Sequence, residues 1–397
     1  MSESVNSGWK EYKLGEVGVV VTGKTPSSKN PDDFGNDIPF VTPTDYRNYH
    51  KEVSFSDRFL SSIGANKLKN KILPPKSVMV TCIGSDMGKV AINTIPVITN
   101  QQINSIISDI KMVDPNFLYY KLVESYDVLR SYGLAGTAVP IVNKTDFEGI
   151  EILLPPLPEQ CAIAGVLSSL DDKIDLLHRQ NKTLEGMAEA VYRHFFIDGR
   201  KADWKECAVS ELATHEKHSI NPNKNPEALF YHYSVPAFDE THMPIPEPGA
   251  LIQSNKYKVL ENTILFSKLN PHKDKRIWLI PNSIAENSVC STEFQVMNPK
   301  AEKYLFFLYN FISRPENYDE IAAGVGGTSG SHQRIDPEVI FNFKCFLPDD
   351  TTLIEYNAVV TPIYSKMQHN LKAVQTLKRQ RDILLPKLMS GEVRVRI

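Results

Sequence analysis

One apolar stripe occurs twice in this chain, and it constrains the fold more than any other feature. From Ile163, alternating steps of four and three residues reach Leu167, Leu170, Ile174, Leu177, Asn181, Leu184, Ala188, Val191 and Phe195, an a/d heptad seam that is almost wholly apolar. About 193 residues later the frame recurs as Val360, Ile363, Met367, Asn370, Val374, Leu377, Arg381, Leu384 and Leu388. No Pro or Gly interrupts the first copy between Gly165 and Gly186, or the second between Pro362 and Pro386. The spacing predicts two helices of about 35 residues, roughly 50 Å each. So narrow a stripe needs a partner to bury it, and the economical partner is the other copy, as an antiparallel coiled coil. The alternative is two surface helices, each packed on its own globular domain. Asp171, Asp172, Lys173, Lys182 and Glu185 lie off the seam and read as solvated flanks.

The repeat extends beyond the helix. Trp9-Lys10-Glu11 and Leu14-Gly15-Glu16-Val17 match Trp204-Lys205-Glu206 and Val209-Ser210-Glu211-Leu212. Gly136-Thr137 matches Gly327-Thr328, Asp146 with Ile150 matches Asp336 with Ile340, and Leu154-Pro155 matches Leu347-Pro348. A period of about 195 residues exceeds solenoid periods, so a whole domain is duplicated. β-Branched runs at Val17–Thr22, Ser77–Ile83 and Val90–Ile92 predict strands, as do Thr263–Ser267, Trp278–Ile280 and Phe294–Val296. Phe117–Tyr132 and Tyr304–Ile312 have helical spacing. The expected fold is α+β: two pseudo-symmetric mixed α/β domains at 1–153 and 200–346, with coiled-coil helices at 154–199 and 347–397. Alternating apolar and charged residues at Gly391–Ile397 predict a tail strand docked on the first domain.

A chain of 397 residues is too long for one core. It has no apolar run long enough to span a membrane and no secretory signal at its start. Its five cysteines are scattered without a C-x-x-C pair, which favours reduced thiols in a cytoplasm and opposes a structural zinc site. The formal net charge of −3 means that any nucleic-acid contact must rest on local basic patches.

Gly18-Val19-Val20-Val21-Thr22-Gly23-Lys24-Thr25 fits the phosphate-loop pattern letter by letter. Its three valines favour a strand, and Pro26-Ser27-Ser28-Lys29-Asn30-Pro31 is turn chemistry where a helix should begin. A strand running into a polar loop is the better reading, and a nucleotide-using enzyme is the rival. No nucleophile elbow, zincin motif or metal-spaced His/Cys cluster occurs. Asp171-Asp172-Lys173 resembles half of a nuclease site but reads as a charged helix face.

The positive signals are basic and polar loops. Lys67, Lys69, Lys71 and Lys76 cluster without an acid, and Lys268, Asn270, His272, Lys273, Lys275 and Arg276 cluster around one, Asp274. Such residues neutralise phosphates. Residues 45–51 (including Tyr46 and Arg47), Asn100-Gln101-Gln102 and Ser329–Arg334 carry the amides and guanidinium groups that read base edges.

These pieces together resemble the specificity (S) subunit of type I restriction-modification systems. Trp9 with Leu14-Gly15-Glu16 resembles the family's domain opening. Ile152–Gln160 resembles its lead into the central helix, and Leu384–Val395 its terminal signature. Thr22–Ser27 and Thr99–Gln102 resemble pieces of its target recognition domains. Leu347-Pro348-Asp349-Asp350 departs from the pattern, lacking the Pro-Pro and Glu-Gln of the first copy, which leaves the turn there open.

The resemblance implies a DNA sequence-recognition subunit, not an enzyme, whose two domains each read half of a bipartite double-stranded site. The coiled coil would set the gap and dock two methyltransferase (M) subunits, through which restriction (R) subunits join. S-adenosylmethionine, ATP and Mg2+ would belong to those partners, with no cofactor or metal on this chain. The expected DNA-contacting set is Lys24, Thr25, Ser28, Tyr46, Arg47, Lys67, Lys69, Lys89, Asn100, Gln101 and Gln102, with Lys268, Asn270, His272, Lys273, Lys275, Arg276, Ser331, His332, Gln333 and Arg334 in the second domain. A protein-binding scaffold without a DNA role is a further alternative, as is a methylation-only assembly lacking a restriction subunit.

Overall fold

A computed structural model of the chain describes residues 8–48, 51–84, 87–134, 141–280, 283–326 and 334–396. Two compact units result: Met1–Leu176 with Thr376–Ile397, and Leu177–Gln375. Both long helices form, at Leu157–Arg193 and Asp350–Met389, and the division between units falls within each of them.

In the first unit, strand Lys10–Lys13 pairs antiparallel with Glu151–Leu154, closing the globular part on itself in the register Lys10↔Leu154 to Lys13↔Glu151. The central sheet has five strands in the order Gly18–Thr22, Ile103–Ser108, Val78–Thr81, Val90–Asn93 and Glu52–Val53. A smaller sheet joins Phe59–Leu60, Phe34–Val41 and Ile98–Thr99. Helix Pro115–Glu124, capped by the Asp114 side chain, buries Phe117, Leu118 and Tyr120 beneath the central sheet. Ile163 and Leu167 of the first long helix share this core with Leu384 and Leu388 of the second. Asp171 meets Arg381, so the numbering falls along one helix as it rises along the other, and the helices are antiparallel within this unit.

The second unit repeats the plan. Lys205–Ala208 closes against Lys344–Leu347. Its central sheet runs Ala213–Glu216, Phe294–Pro299, Thr263–Ser267 and Ile277–Ile280. The helix Leu305–Ser313 takes the place of Pro115–Glu124. The middles differ: here a second, five-stranded sheet is built around Leu229–Tyr233 and Ser288–Cys290. Ala188 and Tyr192 pack with Tyr356, Val360 and Tyr364 in one core, again antiparallel. Asn370 Nδ2 donates to Asn181 Oδ1 at 2.8 Å, and Asn181 Nδ2 to the Met367 carbonyl at 3.3 Å.

The seam is buried at Leu167, Ile174, Leu177, Val360, Ile363, Met367 and Val374, and half-buried at Leu170, Leu184, Val191, Leu377 and Leu384.

Two expectations are corrected, and the second helix, as its seam requires, runs through both Pro362 and Pro386. Pro362 is exposed, so the carbonyl it leaves unbonded faces water while Val360 and Ile363 keep the seam. The tail is not a strand. Gly391, at φ +73°, ends the helix, and Val393 N–H donates to the Lys387 carbonyl, so these amides cap helix carbonyls and form no ladder. The tail still docks on the first unit: the Arg394 guanidinium clasps Glu159, and Val395 packs on the core. Finally, Asp171 is not a solvated flank but lies buried, bonded to Tyr120 and Arg381.

The two long helices start by different chemistry. Gln160 Oε1 accepts the Asp114 N–H, and its Nε2 donates to the Met112 and Pro155 carbonyls. In the second copy Asp349 is the cap. It accepts from the Thr352 N–H and hydroxyl, the Trp204 indole N–H and the Lys201 ammonium.

Candidate nucleic-acid interface

The phosphate-loop lookalike is a strand. Gly18–Thr22 pairs with Ile103–Ser108 along its whole length. Gly23 follows at the strand's end, where its N–H donates to the Ile103 carbonyl and the Lys24 N–H to the Thr99 carbonyl. A Cβ at Gly23 would lie 2.1 Å from the Asn100 carbonyl oxygen, so only glycine fits between these strand ends.

That zippering brings two of the expected loops together. Thr25 Oγ1 donates to Gln101 Oε1 at 2.6 Å. Asn100, nearly buried, donates from Nδ2 to Gln102 Oε1 and accepts the Gln102 N–H, while its own N–H reaches the Val41 carbonyl. Lys24, Thr25, Ser28 and Gln101 are exposed on this edge. The hairpin turn carrying Lys89 joins the strands at the same end of the central sheet, since Cys82 N–H donates to the Gln102 carbonyl. Tyr46 is buried beside Lys89, and Arg47 is described by its backbone alone. Lys67 is bound to Asp33 at 2.6 Å, at the far end of the loop that begins with Lys24, and Lys69 follows one turn later.

In the second unit the same sheet end gathers Lys268 and Arg334. Lys268 N–H donates to the Glu293 carbonyl and its carbonyl accepts from Ile335, while Glu293 pairs bidentately with Arg334. His272 and Lys273 project from the connecting loop, which turns at Asn270 with φ +47°. Two members of this cluster are engaged by protein partners instead. Arg276 is pinned by Asp239 through two bonds of 2.6 and 2.8 Å, with a third to Asp274. Lys275 donates to the Ser313 carbonyl, lies over the Tyr318 ring, and faces Glu185 and Glu189; burial lowers its pKa. Ser331, His332 and Gln333 lie outside the described residues.

Lys217 and His218 occupy the strand end that corresponds to Gly23-Lys24, and both are exposed there. They escaped notice in the sequence because no basic run or amide cluster surrounds them. Lys51 was grouped with the polar loop, but its ammonium is buried and donates to Ser168 Oγ at 2.7 Å. Among the described residues no group of His, Cys, Asp and Glu is placed to hold a metal ion, and no helix is long and apolar enough to cross a membrane.

Two copies of one mixed α/β design, each presenting polar and cationic loops at the same sheet end and each packed on part of one pair of long helices, define a duplicated recognition module. The chain is similar to the specificity subunits of type I restriction-modification systems. Residues 6–186 match the family model for the type I restriction modification DNA specificity domain. The MjaIX specificity subunit of Methanocaldococcus jannaschii is 28% identical across 98% of this chain and 94% of its own length. The HindI specificity subunit of Haemophilus influenzae is 37% identical over 38% of this chain and 33% of its own. In three dimensions the S subunit from M. genitalium superposes with a TM-score of 0.59 at 15% identity, covering 98% of this chain and 97% of that one, a likeness of fold.

Proposed function

We propose that this chain is the DNA-reading subunit of a type I restriction-modification complex in which each globular unit contacts one half of a bipartite double-stranded site. One observation carries the reading: the duplication places exposed basic and polar side chains at the same strand ends twice, as Lys24, Thr25 and Gln101 in one unit and Lys217, His218 and Arg334, with half-buried Lys268, in the other. Cations of this kind neutralise phosphates and amides read base edges. Ser28, Lys67, Lys69, Lys89, His272 and Lys273 add phosphate contacts around them. The antiparallel helices fix the gap between half-sites and dock two methyltransferase subunits, which in turn carry restriction subunits. S-adenosylmethionine, ATP and Mg2+ act on those partners, and the complex works in the cytoplasm.

The test is to remove one heptad from each long helix at matching positions. Seven residues are about 10 Å of helix, or about three base pairs of duplex. The gap in the recognised sequence should shorten while both half-sites stay the same. An unchanged gap in an intact complex overturns the proposal.

A further inference from the structure

Beside the interface, a single turn of the first long helix receives side chains from three other elements of its unit. Lys51 Nζ donates to Ser168 Oγ at 2.7 Å, and its ammonium lies 5.1 Å from the centre of the Tyr120 ring. Tyr120 Oη donates to Asp171 Oδ2 at 2.5 Å. Arg381, from the second long helix, donates to Asp171 Oδ1 at 3.0 Å and is itself braced by Asp382. Lys51 and Asp171 are both almost completely buried. Two opposite charges are thus withdrawn from water at the point where a globular fold meets its helical mount, an arrangement that packing alone does not require.

Three further observations give the cluster a role. First, the polar 3-10 helix Pro43–Asn48, shortly before Lys51 in the chain, is pinned by Asp45, whose carboxylate accepts from the Thr42 N–H and hydroxyl and the Asp57 N–H. Asp45 thus ties this polar helix to the end of strand Phe34–Val41, and Lys51 ties the next described residue to the long helix. Second, a cleft of about 380 Å3 opens beside the cluster, with Tyr46, Lys89 and Tyr126 on its walls. Apolar packing does not fill this space, so on this side of the shared core it is the polar bonds that hold the unit against the helix. Third, the duplication retains a hydrogen bond at the matching place with donor and acceptor exchanged. Asn310 corresponds to Tyr120 and Tyr364 to Asp171, and Tyr364 Oη donates to Asn310 Oδ1 at 2.9 Å. This second joint is neutral and is completed by Asn310 Nδ2 donating to Tyr356 Oη at 2.8 Å.

We infer that Lys51 and Asp171 are positioning residues for DNA recognition: they lock the first globular unit at one angle on the long helix and so make the complex intolerant of gaps one base pair longer or shorter. The inference rests on the bipartite reading above. Neither residue contacts DNA in this role; each acts through the globular unit it holds. Breaking the lock lets the unit rock into the cleft, so that its loops follow a half-site rotated by one base step.

The test uses the full chain assembled with its methyltransferase subunits and a duplex DNA library randomised in sequence, from which bound molecules are selected and sequenced. The unaltered complex should return one gap length. Lys51→Met and Asp171→Asn should return, in addition, gaps one base pair longer or shorter at a tenth or more of the parent frequency, with the base preferences of the other half-site unchanged. Ser168→Ala, which leaves every charge in place, serves if either variant fails to assemble, and should give the same broadening to a smaller degree. Assembled variants that return the single parental gap at parental sharpness overturn the inference, because a merely structural role would lower stability without altering gap choice. If the unaltered complex returns no two-part sequence, it is the bipartite reading that fails.

Discussion

Tyr120 donates its phenolic proton to Asp171 across 2.5 Å, joining a helix of the first globular unit to the long helix on which that unit is mounted. The bond is nearly inaccessible to water, and burial with the neighbouring carboxylate pushes the Tyr120 phenol far up, so the proton stays on the tyrosine. Tyr120→Phe removes a donor from a buried carboxylate that keeps its Arg381 partner, and should cost about 1.5–3 kcal/mol in urea unfolding. Asp171→Ala leaves Tyr120 without its acceptor and Arg381 with Asp382 alone, and should cost more, about 3 kcal/mol. Equal losses would mean that Arg381 is satisfied elsewhere.

How much of this joint was legible in the sequence is instructive. The heptad frame located the seam, and Leu167, Ile174, Val360 and Val374 are buried where it put them. The same frame placed Asp171 outside the seam, because a helical wheel counts only the partner helix. A third surface, the sheet-backed Pro115–Glu124 helix, covers that face, and only long-range folding brings Tyr120 there. Arg381, the charged exception in the seam, was the visible hint: a cation at an a/d position needs an acid within reach. The interface divides in the same way. Loop composition located Lys24, Gln101 and Lys268, but composition cannot tell a solvent-facing guanidinium from Arg276, whose acids Asp239 and Asp274 include one that is distant in the chain.

The Asn181–Asn370 pair yields a second prediction. Asn370 is fully buried and its Oδ1 has no hydrogen-bond partner, so the pair is only partly satisfied. Asn370→Leu alone deprives Asn181 Oδ1 of a donor and should destabilise by about 1–2 kcal/mol. Replacing both by leucine removes the unmet polar groups and should recover that loss or exceed it. A double-mutant cycle in urea measures the coupling, and simple additivity would show that the two amides act independently.

The cap at Asp349 gives the second unit an acid-sensitive edge. The Lys201 ammonium, with the Thr352 N–H, holds the Asp349 carboxyl well below the usual carboxylate range. A depressed pKa contributes stability that is fully present above the unfolded value, near about 3.9, and is lost as pH falls through the folded value. Melting temperature measured from pH 7 down to pH 3 should therefore fall more steeply for the natural chain than for Asp349→Asn, which cannot titrate. Parallel curves would remove Asp349 from the acid response.

Lys24 decides between the two chemistries its motif suggests. It is an exposed lysine at the end of the strand Gly18–Thr22, and we propose it as a phosphate contact on DNA and not as a nucleotide ligand. Lys24→Ala should weaken DNA binding by a similar factor for every duplex sequence and reduce the slope of log affinity against log salt by about 1. Gly23→Ala should act differently. Its Cβ would press on the Asn100 and Thr99 carbonyls, so the zipper between Thr25 and Gln101 must open and sequence preference, not only affinity, should fall. Binding of a fluorescent ATP analogue to the isolated chain that Lys24→Ala abolishes would instead restore the phosphate-loop reading. Both variants can be titrated at three salt concentrations against one matched and one scrambled duplex, which separates a lost ion pair from a displaced loop.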